Sequence, residues 1–449
     1  MTAPARTAAY HALLAVTAGT QDLPFALAQS RRTLTDDRDR ALTAEIVTGT
    51  MRWLRSLDFL VEHFAQRPPR KIDRQVLTIL RLSVYQLLHL DRVPASAVVD
   101  DAVDLTRAAR KPSATGFVNA VLRTLLRQRH KLPLPARPDT PDRDAQMAYL
   151  GLTHSHPDWL AARWLDRHGF EATEAWVQFN NATPALTLRV NTLRARVDEA
   201  MAALAADGIE TEPTRFAPDG LVVTSGNPLR RAQDGLVFVQ DEASQLVALV
   251  VGAQPGEQVL DLCASPGGKT MALAAAMQDQ GAIVATDVRP RRIVLLQETV
   301  GVGGATSVSV QQVPATGALP FAATFDRVLV DAPCSGLGTI RRDPDIRWRR
   351  SAQDLPALAS QQVMLLERAA PTVRVGGRLV YATCSSEPEE NEQVVDRFLA
   401  AHPEWTLVDL RSVPLPGHVH LLVDDRGMFR TLPFRDGLEA FFAAALQRG

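Results

Sequence analysis

Residues 258–270 of this chain read Gln-Val-Leu-Asp-Leu-Cys-Ala-Ser-Pro-Gly-Gly-Lys-Thr. Val259 and Leu260 belong to a short apolar strand, and Gly267 and Gly268 end it before a helical segment. Two adjacent glycines let backbone amides at the start of a helix approach a ligand closely. The stretch therefore predicts a strand, a ligand-binding loop and a helix, which together open a nucleotide-binding α/β sheet.

A phosphate-binding P-loop is the first alternative, because Gly268-Lys269-Thr270 matches the last three residues of that motif. The P-loop requires a glycine five residues before its Gly-Lys pair, and this chain has Cys263 at that position. The spacing therefore argues against a P-loop. A plain turn between a strand and a helix remains the other alternative.

Four more strands are predicted downstream, and they span residues 283–287, 307–312, 326–331 and 378–384. Helical segments separate most of them, as in a doubly wound sheet that is covered on both faces. Ligands of such sheets bind at the carboxyl ends of the strands. Asp287 ends the second strand about 20 residues after the glycine loop, which is the usual distance for an acid that hydrogen-bonds ribose hydroxyls. A solvated loop residue is the alternative for Asp287.

The chain has 449 residues, too many for one compact core, and its charge is unevenly distributed. Residues 1–131 contain 20 Lys and Arg against 12 Asp and Glu, whereas the remainder contains 29 against 38. A basic module beside an acidic one suits the binding of a polyanion, although a solvated basic surface gives the same count. Helical periodicity predicts an all-helical bundle over 1–131, and prolines predict a linker over 132–150. A small α/β subdomain over 151–240 and a catalytic domain over 241–449 complete the predicted organisation.

Composition excludes several classes of protein. No run of about 18 apolar residues occurs, so we expect no membrane span. Residues 1–20 lack the pattern of a secretory signal, and we expect a cytoplasmic protein. The three cysteines argue by their odd number against a disulfide framework, and they lack the paired spacing of a zinc site. We therefore expect no metal, and we expect a monomer.

Cys334 and Cys384 follow the fourth and fifth predicted strands, next to the expected ligand pocket. Three inert packing cysteines would be the ordinary interpretation of such a set. Covalent catalysis offers a better reason for two thiols at this place. A thiolate that adds to carbon 6 of cytosine makes carbon 5 nucleophilic enough to attack a methyl sulfonium. Asp331 would stabilise the adduct near N3 of the base, and the second thiol would help the carbon 5 proton leave.

The motifs resemble a known family. Asp261–Thr270, Asp331-Ala-Pro-Cys-Ser-Gly336 and Thr383-Cys-Ser385 with Glu389-Glu390-Asn391 are similar to motifs of the RNA 5-methylcytosine methyltransferases of the Nol/Nop/Sun family. Further segments resemble its bacterial 16S rRNA branch, and they are Leu188–Leu193, Val239–Leu246 and Ile340–Trp348. Arg40–Arg52 and Gly116–Arg123 are similar to the NusB RNA-binding fold that this branch carries.

The resemblance implies a Rossmann-like S-adenosylmethionine methyltransferase domain with an all-helical NusB-like N-terminal domain, acting on 16S rRNA. Cys384 matches the nucleophile of the family, Cys334 the cysteine of product release, and Asp331 the acid between cofactor and base. The residues implied to hold S-adenosylmethionine are Cys263, Ala264, Ser265, Pro266, Gly267, Gly268, Lys269, Asp287, Arg292 and Asp331.

The sequence departs from the family pattern where an Asp usually reads the adenine. Gln311–Ala315 contains no acid, so either Gln312 hydrogen-bonds the adenine or Val313 leaves that edge to water. Ser265 stands where alanine is more usual.

Alternatives stay open at this stage. The chain could be an RNA-binding protein with an inactive methyltransferase domain, or an enzyme for tRNA or another rRNA cytosine. DNA cytosine methyltransferases use the Pro-Cys cysteine, which would make Cys334 the nucleophile.

Candidate RNA contacts flank Trp348, and they are Arg341, Arg342, Arg347, Arg349 and Arg350. Arginines beside an aromatic residue can bind phosphates and stack on bases. The alternative is a solvated basic loop with Trp348 packed inward.

Overall fold

The computed structural model describes residues 3–449, which divide into two compact units. The first unit extends to Thr183 and also includes Ile340–Ala352, and the second contains Pro184–Thr339 and Gln353–Gly449. Met1 and Thr2, which begin the predicted helical region, lie outside the described residues. The four-part division at residues 131, 150 and 240 stays a prediction.

The first unit is helical. Its helices α1–α9 span Pro4–Thr17, Leu23–Thr33, Asp37–Arg52, Leu54–Ala65, Arg74–His89, Ala95–Ala108, Thr115–Gln128, Arg143–Ala148 and Asp158–Asn181. Helices α2, α3, α5 and α8 are each preceded by an aspartate whose carboxylate accepts a backbone N–H, which satisfies a donor that the first turn leaves free. The apolar faces of α1 to α7 share one core. The prediction of an all-helical region is confirmed for residues 3–129.

The second unit contains twelve strands among its described residues. Strands β1–β12 span Thr187–Val190, Glu210–Pro213, Gly220–Ser225, Val237–Val239, Gln258–Asp261, Ala282–Asp287, Val308–Gln312, Phe325–Asp331, Val373–Thr383, Trp405–Leu407, Phe429–Arg430 and Phe442–Arg448. The remaining helices α10–α18 span Val197–Ala206, Leu229–Gln233, Glu242–Val251, Gly268–Ala276, Pro290–Gly303, Ile346–Arg349, Asp354–Ala369, Glu392–Ala401 and Pro433–Asp436. Of these, α15 belongs to the first unit.

The strands form two sheets. The smaller has the order β2-β3-β1-β4 with antiparallel pairs throughout. The larger has the order β10-β12-β9-β8-β5-β6-β7, with β11 beside β12. The run from β9 to β7 is parallel, and β10, β11 and β12 are antiparallel additions. The five predicted strands are confirmed as β5 to β9, whereas the sequence reasoning did not predict β10, β11 and β12.

The large sheet is covered on both faces, as predicted. Side chains along β8 alternate, with Leu329 in the cluster under α12 and α13, and Val328 and Val330 in the cluster under α16 and α17. Because β5, β6, β8 and β9 are parallel, their carboxyl ends meet at one edge. The candidate site lies along this edge.

Within the described part of the chain, no helix is long and apolar enough to cross a membrane.

Candidate active site

The glycine loop joins β5 to α13, as the sequence predicted. Gly267 has φ +109°, a left-handed conformation that favours glycine. A Cβ atom at this position would lie 2.9 Å from Leu296 Cδ1 and 3.1 Å from Thr299 Cγ2. Both the backbone angle and the close packing therefore require glycine here, and α13 begins directly after it at Gly268.

Asp261 ends β5 and is fully buried. Thr270 Oγ1 donates a hydrogen bond of 2.7 Å to Asp261 Oδ2, and Oδ1 has no protein partner. Burial raises the pKa of Asp261 to about 7, against the hydrogen bond from Thr270, which lowers it. One buried carboxyl oxygen at the base of the glycine loop is thus left without a partner among the protein's own groups.

Lys269 and Asp331 connect the glycine loop to the end of β8. Lys269 Nζ donates a hydrogen bond of 2.7 Å to Asp331 Oδ2. Burial alone would lower the pKa of Lys269, but the charge and hydrogen bond of Asp331, together with Cys384, raise it on balance. The ammonium group therefore stays charged close to the cysteines.

Asp287 ends β6 and is buried. Its Oδ1 accepts the backbone N–H of Arg289 at 3.0 Å, and its Oδ2 lies 3.4 Å from Arg292 Nη1. Ser265 Oγ donates to the carbonyl oxygen of Arg292 at 3.0 Å, so the glycine loop and the start of α14 are joined. Ala264 of the same loop donates its backbone N–H to the carbonyl oxygen of Thr286, the residue before Asp287. Four predicted cofactor residues are thereby brought together, and they are Ala264, Ser265, Asp287 and Arg292.

A cavity of about 780 Å³ opens beside Asp287 and the glycine loop. Its walls include Cys263, Val288, Leu319, Phe321 and Pro333, which are mostly apolar. Such a cavity is large enough for a nucleoside-sized ligand.

The third predicted motif lies at the end of β7. Gln312 Nε2 donates to the carbonyl oxygen of Val288 at 3.1 Å, and Val313 is buried. Gln312 thus lies next to a residue that lines the cavity, but its suggested contact with adenine stays a prediction.

The two motif cysteines meet. Cys334 Sγ and Cys384 Sγ lie 3.2 Å apart, although 50 residues separate them in the chain. Both thiols are free and partly exposed. The hydrogen bond with Cys384, burial and the negative charge of Glu390 raise the pKa of Cys334. These effects all favour the protonated form of the Cys334 thiol.

Cys263 has a different environment. Burial and the charges of Asp331, Asp261 and Asp287 raise the pKa of its thiol. A thiol that stays protonated is a poor nucleophile, and Cys263 lines the cavity. Its position suits contact with a ligand better than covalent chemistry.

A buried glutamate links the two cysteine loops, and sequence reasoning gave it no role. Glu390 Oε1 accepts the N–H of Ser335 at 2.8 Å, and Oε2 accepts the hydroxyls of Ser335 and Ser385 at 2.5 Å each. Gln362 Nε2 of α16 donates to Oε1 at 3.0 Å. The only signal in the sequence was the acidic pair after the Thr-Cys-Ser motif.

The arginines around Trp348 lie in the first unit. Arg347 is completely buried, and it donates to the carbonyl oxygen of Ser155 at 3.1 Å and to Asn181 Oδ1 at 3.0 Å. Trp348 packs against the helical core and donates from Nε1 to the carbonyl oxygen of Met51 at 2.7 Å. The hypothesis that Arg347 contacts RNA is therefore wrong. The alternative is confirmed for the inward-packed Trp348, but its solvated basic loop is wrong at Arg347.

The neighbouring arginines also have partners within this unit. Arg349 Nε bonds Asp345 Oδ2 at 2.8 Å, and the guanidinium of Arg341 lies 3.8 Å from the centre of the Phe179 ring.

Among residues 3–449, no cluster of three His, Cys, Asp or Glu residues is arranged to hold a metal ion.

Three family models match the chain. Residues 248–447 match the family described as 16S rRNA methyltransferase RsmB/F, residues 3–127 match the NusB family, and residues 156–230 match the RsmF/B-like ferredoxin-like domain.

Relatives match nearly the full length. The probable ribosomal RNA small subunit methyltransferase B of Bacillus subtilis is 35% identical over 92% of this chain and 91% of its own length. The ribosomal RNA small subunit methyltransferase B of Pseudomonas putida is 37% identical over 91% of each chain. The solved structure of PH0851 is 28% identical with a TM-score of 0.79, and it covers 100% of this chain and 99% of its own.

Proposed function

The chain belongs to the 16S rRNA methyltransferase RsmB/F family, and we propose that it methylates carbon 5 of a cytosine in 16S rRNA through a covalent cysteine adduct. The observation that carries the proposal is the 3.2 Å distance between Cys334 Sγ and Cys384 Sγ. Two thiols beside the Lys269–Asp331 pair are what a reaction with separate attack and release steps needs.

The residues at the strand ends fit the methyl donor of this family, S-adenosylmethionine. The apolar cavity suits an adenine ring, Asp287 with Arg292 suits ribose hydroxyls, and the loop Cys263–Lys269 offers backbone amides. The unpartnered Oδ1 of Asp261 is an additional polar atom at the same edge. When bound, this cofactor supplies an electrophilic methyl group.

The chain's own groups account for attack on the base. We assign the nucleophile to Cys384, because it occupies the position of the family's nucleophile and the ammonium of Lys269 lies near it. As the Cys384 sulfur bonds to carbon 6, the electrons of the carbon 5–carbon 6 double bond become available at carbon 5. Asp331 stabilises the adduct near N3 of the ring, and carbon 5 takes the methyl group.

Release needs the second thiol. Once Cys384 is bonded to carbon it carries no charge, so its hydrogen bond no longer keeps the proton on Cys334. Cys334 can then lose its proton to solvent, and the resulting thiolate accepts the proton from carbon 5. The electrons of that carbon–hydrogen bond restore the double bond and expel the Cys384 thiolate.

The test is a denaturing gel for RNA–protein adducts with 16S rRNA and S-adenosylmethionine. Cys384→Ala abolishes the adduct, and Cys334→Ala lets it accumulate. The double variant is the matched control and forms none. The reverse pattern would make Cys334 the nucleophile, and no adduct in any variant would contradict the covalent mechanism.

The choice of substrate is a separate part of the proposal. The NusB-like region is expected to add salt-dependent affinity for RNA phosphates, and it favours rRNA over tRNA by analogy alone. Bisulfite sequencing of total RNA from a deletion strain locates the lost 5-methylcytosine. A loss in tRNA only would replace 16S rRNA as the substrate.

An inactive, RNA-binding chain is the second candidate, and the absent acid after β7 favours it. Titration with S-adenosylmethionine separates the two, because a chain with no measurable binding could not methylate. The monomeric state and the cytoplasmic location stay predictions.

A further inference from the structure

We infer that Glu390 is a positioning residue that holds the two catalytic thiols within reach of each other, an inference that rests on the proposed two-thiol reaction. Glu390 is fully buried, and its carboxylate accepts four hydrogen bonds from three segments of the chain. Two of those segments each contain one catalytic cysteine.

The connection to each thiol is a single peptide bond. Ser335 follows Cys334, and Ser385 follows Cys384. The same oxygen, Oε2 of Glu390, accepts both serine hydroxyls, and these hydroxyls lie 3.2 Å from each other. A displacement of either loop would therefore break a charge-assisted hydrogen bond inside a buried network.

The glutamate is itself held in place. Its backbone carbonyl accepts the hydroxyl of Tyr381 on β9, and its neighbour Asn391 bonds Thr383 Oγ1 at 2.6 Å and the Ser385 carbonyl oxygen at 3.0 Å. Gln362 bonds both Oε1 of Glu390 and the carbonyl oxygen of Pro333 at 3.1 Å. The carboxylate is thus a fixed point from which the positions of both loops are set.

Reach and charge can be separated by substitution. Glutamine keeps the side-chain length of Glu390. Its amide oxygen can accept hydrogen bonds from the Ser335 backbone N–H and the Gln362 side chain. Its amide nitrogen can donate to the hydroxyls of Ser335 and Ser385, because hydroxyl oxygens can also accept hydrogen bonds. Aspartate keeps the charge but is one methylene shorter, so it cannot reach both loops. Positioning therefore predicts that Glu390→Gln retains function and that Glu390→Asp and Glu390→Ala lose it.

The first assay needs neither RNA nor cofactor. Diamide removes two hydrogens from a pair of thiols, and peptide mass spectrometry quantifies the Cys334–Cys384 disulfide over time. A misplacement of about 1 Å costs on the order of 100-fold in rate. We expect the rate of this disulfide formation, called thiol pairing below, to fall by roughly 10- to 100-fold in Glu390→Ala and Glu390→Asp. In Glu390→Gln it should fall by less than about threefold. Glu404→Gln, an exposed glutamate of the same unit, is the control and pairs at the wild-type rate.

The second assay follows single-turnover formation and decay of the RNA adduct in the full chain. Glu390→Ala and Glu390→Asp slow both steps, unlike either cysteine variant. Wild-type pairing in Glu390→Ala, or better performance of Glu390→Asp than of Glu390→Gln, would overturn the inference.

Variants that remove only one of the two serine hydroxyls bonded to Glu390 keep the test usable if a Glu390 variant fails to fold. Ser385→Ala slows adduct formation more than decay, Ser335→Ala does the reverse, and unchanged rates in both would overturn the inference. Failure of the proposed function has another signature, since wild-type chain would then form no adduct while thiol pairing still depended on Glu390.

Discussion

The fully buried Asp261 makes the stability of the second unit depend on pH. Its carboxyl accepts one hydrogen bond, from Thr270, and burial raises its pKa from 3.8 to about 7. The folded state therefore binds a proton at this group over a pH range in which the unfolded chain has released it. We predict that Asp261→Asn removes this pH dependence.

The sign and size follow from the two pKa values. Well below pH 3.8 the carboxyl is protonated in both the folded and the unfolded state, so it does not affect the balance between them. As the pH rises through the folded pKa, the favourable contribution of the neutral carboxyl is lost. Each pKa unit corresponds to about 1.4 kcal/mol, so a rise from 3.8 to about 7 corresponds to on the order of 4 kcal/mol. The Asn variant should thus gain stability relative to the wild type as the pH rises from 4 to 8.

Hydrogen exchange of β5 peptides in urea measures the free energy of unfolding of the second unit alone. The experiment compares wild type and Asp261→Asn at one-unit steps between pH 4 and pH 8, and taking the difference cancels the other titrating groups. A difference that stays constant within about 1 kcal/mol would refute the linkage argument.

Three further predictions concern packing and hydrogen bonds. Gly338→Ala destabilises the second unit by several kcal/mol, on the order expected for a buried clash, because its Cβ would lie 1.9 Å from the carbonyl oxygen of Ala440; urea unfolding measures the loss. Thr270→Val removes the hydrogen bond to Asp261, so the pH transition of that carboxyl moves upward and stability falls by about 1 kcal/mol, which the same exchange experiment detects. Trp348→Phe removes the indole hydrogen bond in the first unit and lowers its unfolding free energy by about 1–2 kcal/mol, with RNA affinity unchanged in a filter-binding assay.

Matched variants serve as controls for these changes. Gly301→Ala introduces a Cβ with no atom within 4 Å and should be tolerated. Thr124→Val changes a half-buried threonine of α7 in the other unit and should leave the transition of Asp261 unmoved. A Gly338→Ala chain of wild-type stability would contradict the described contact, and a large loss of RNA affinity in Trp348→Phe would restore the stacking hypothesis.

Much of the fold could be predicted because its signals are local. The strands β5 to β8 are short apolar runs, and each was predicted within two residues of its observed bounds. β9 was also predicted, but it begins at Val373, five residues before its predicted start. The antiparallel β12 was missed, since its Ala-rich segment Phe442–Arg448 has no distinctive alternation of apolar and polar residues. Its pairing with β9 buries both of its faces.

The candidate site was predictable to the extent that parallel strands place their carboxyl ends at one edge. That rule is enough to bring Asp287, Asp331 and Cys384 near one another. It says nothing about Glu390, because the partners of a buried carboxylate come from distant parts of the chain. The hypothesis that Arg347 contacts RNA was wrong for the same reason. A basic stretch looks solvated in sequence, yet this guanidinium is buried among backbone oxygens.

The sequence by itself determined the helical N-terminal region, the strands β5 to β9, the glycine loop before α13 and the identity of the reactive groups, because these depend on neighbours along the chain. Only the tertiary structure decided that the two thiols lie 3.2 Å apart, that one carboxylate holds both of their loops, and that residues 340–352 belong to the helical unit. Those features depend on contacts between residues far apart in the chain, and local periodicity encodes whether a side chain is buried but not which partner it meets.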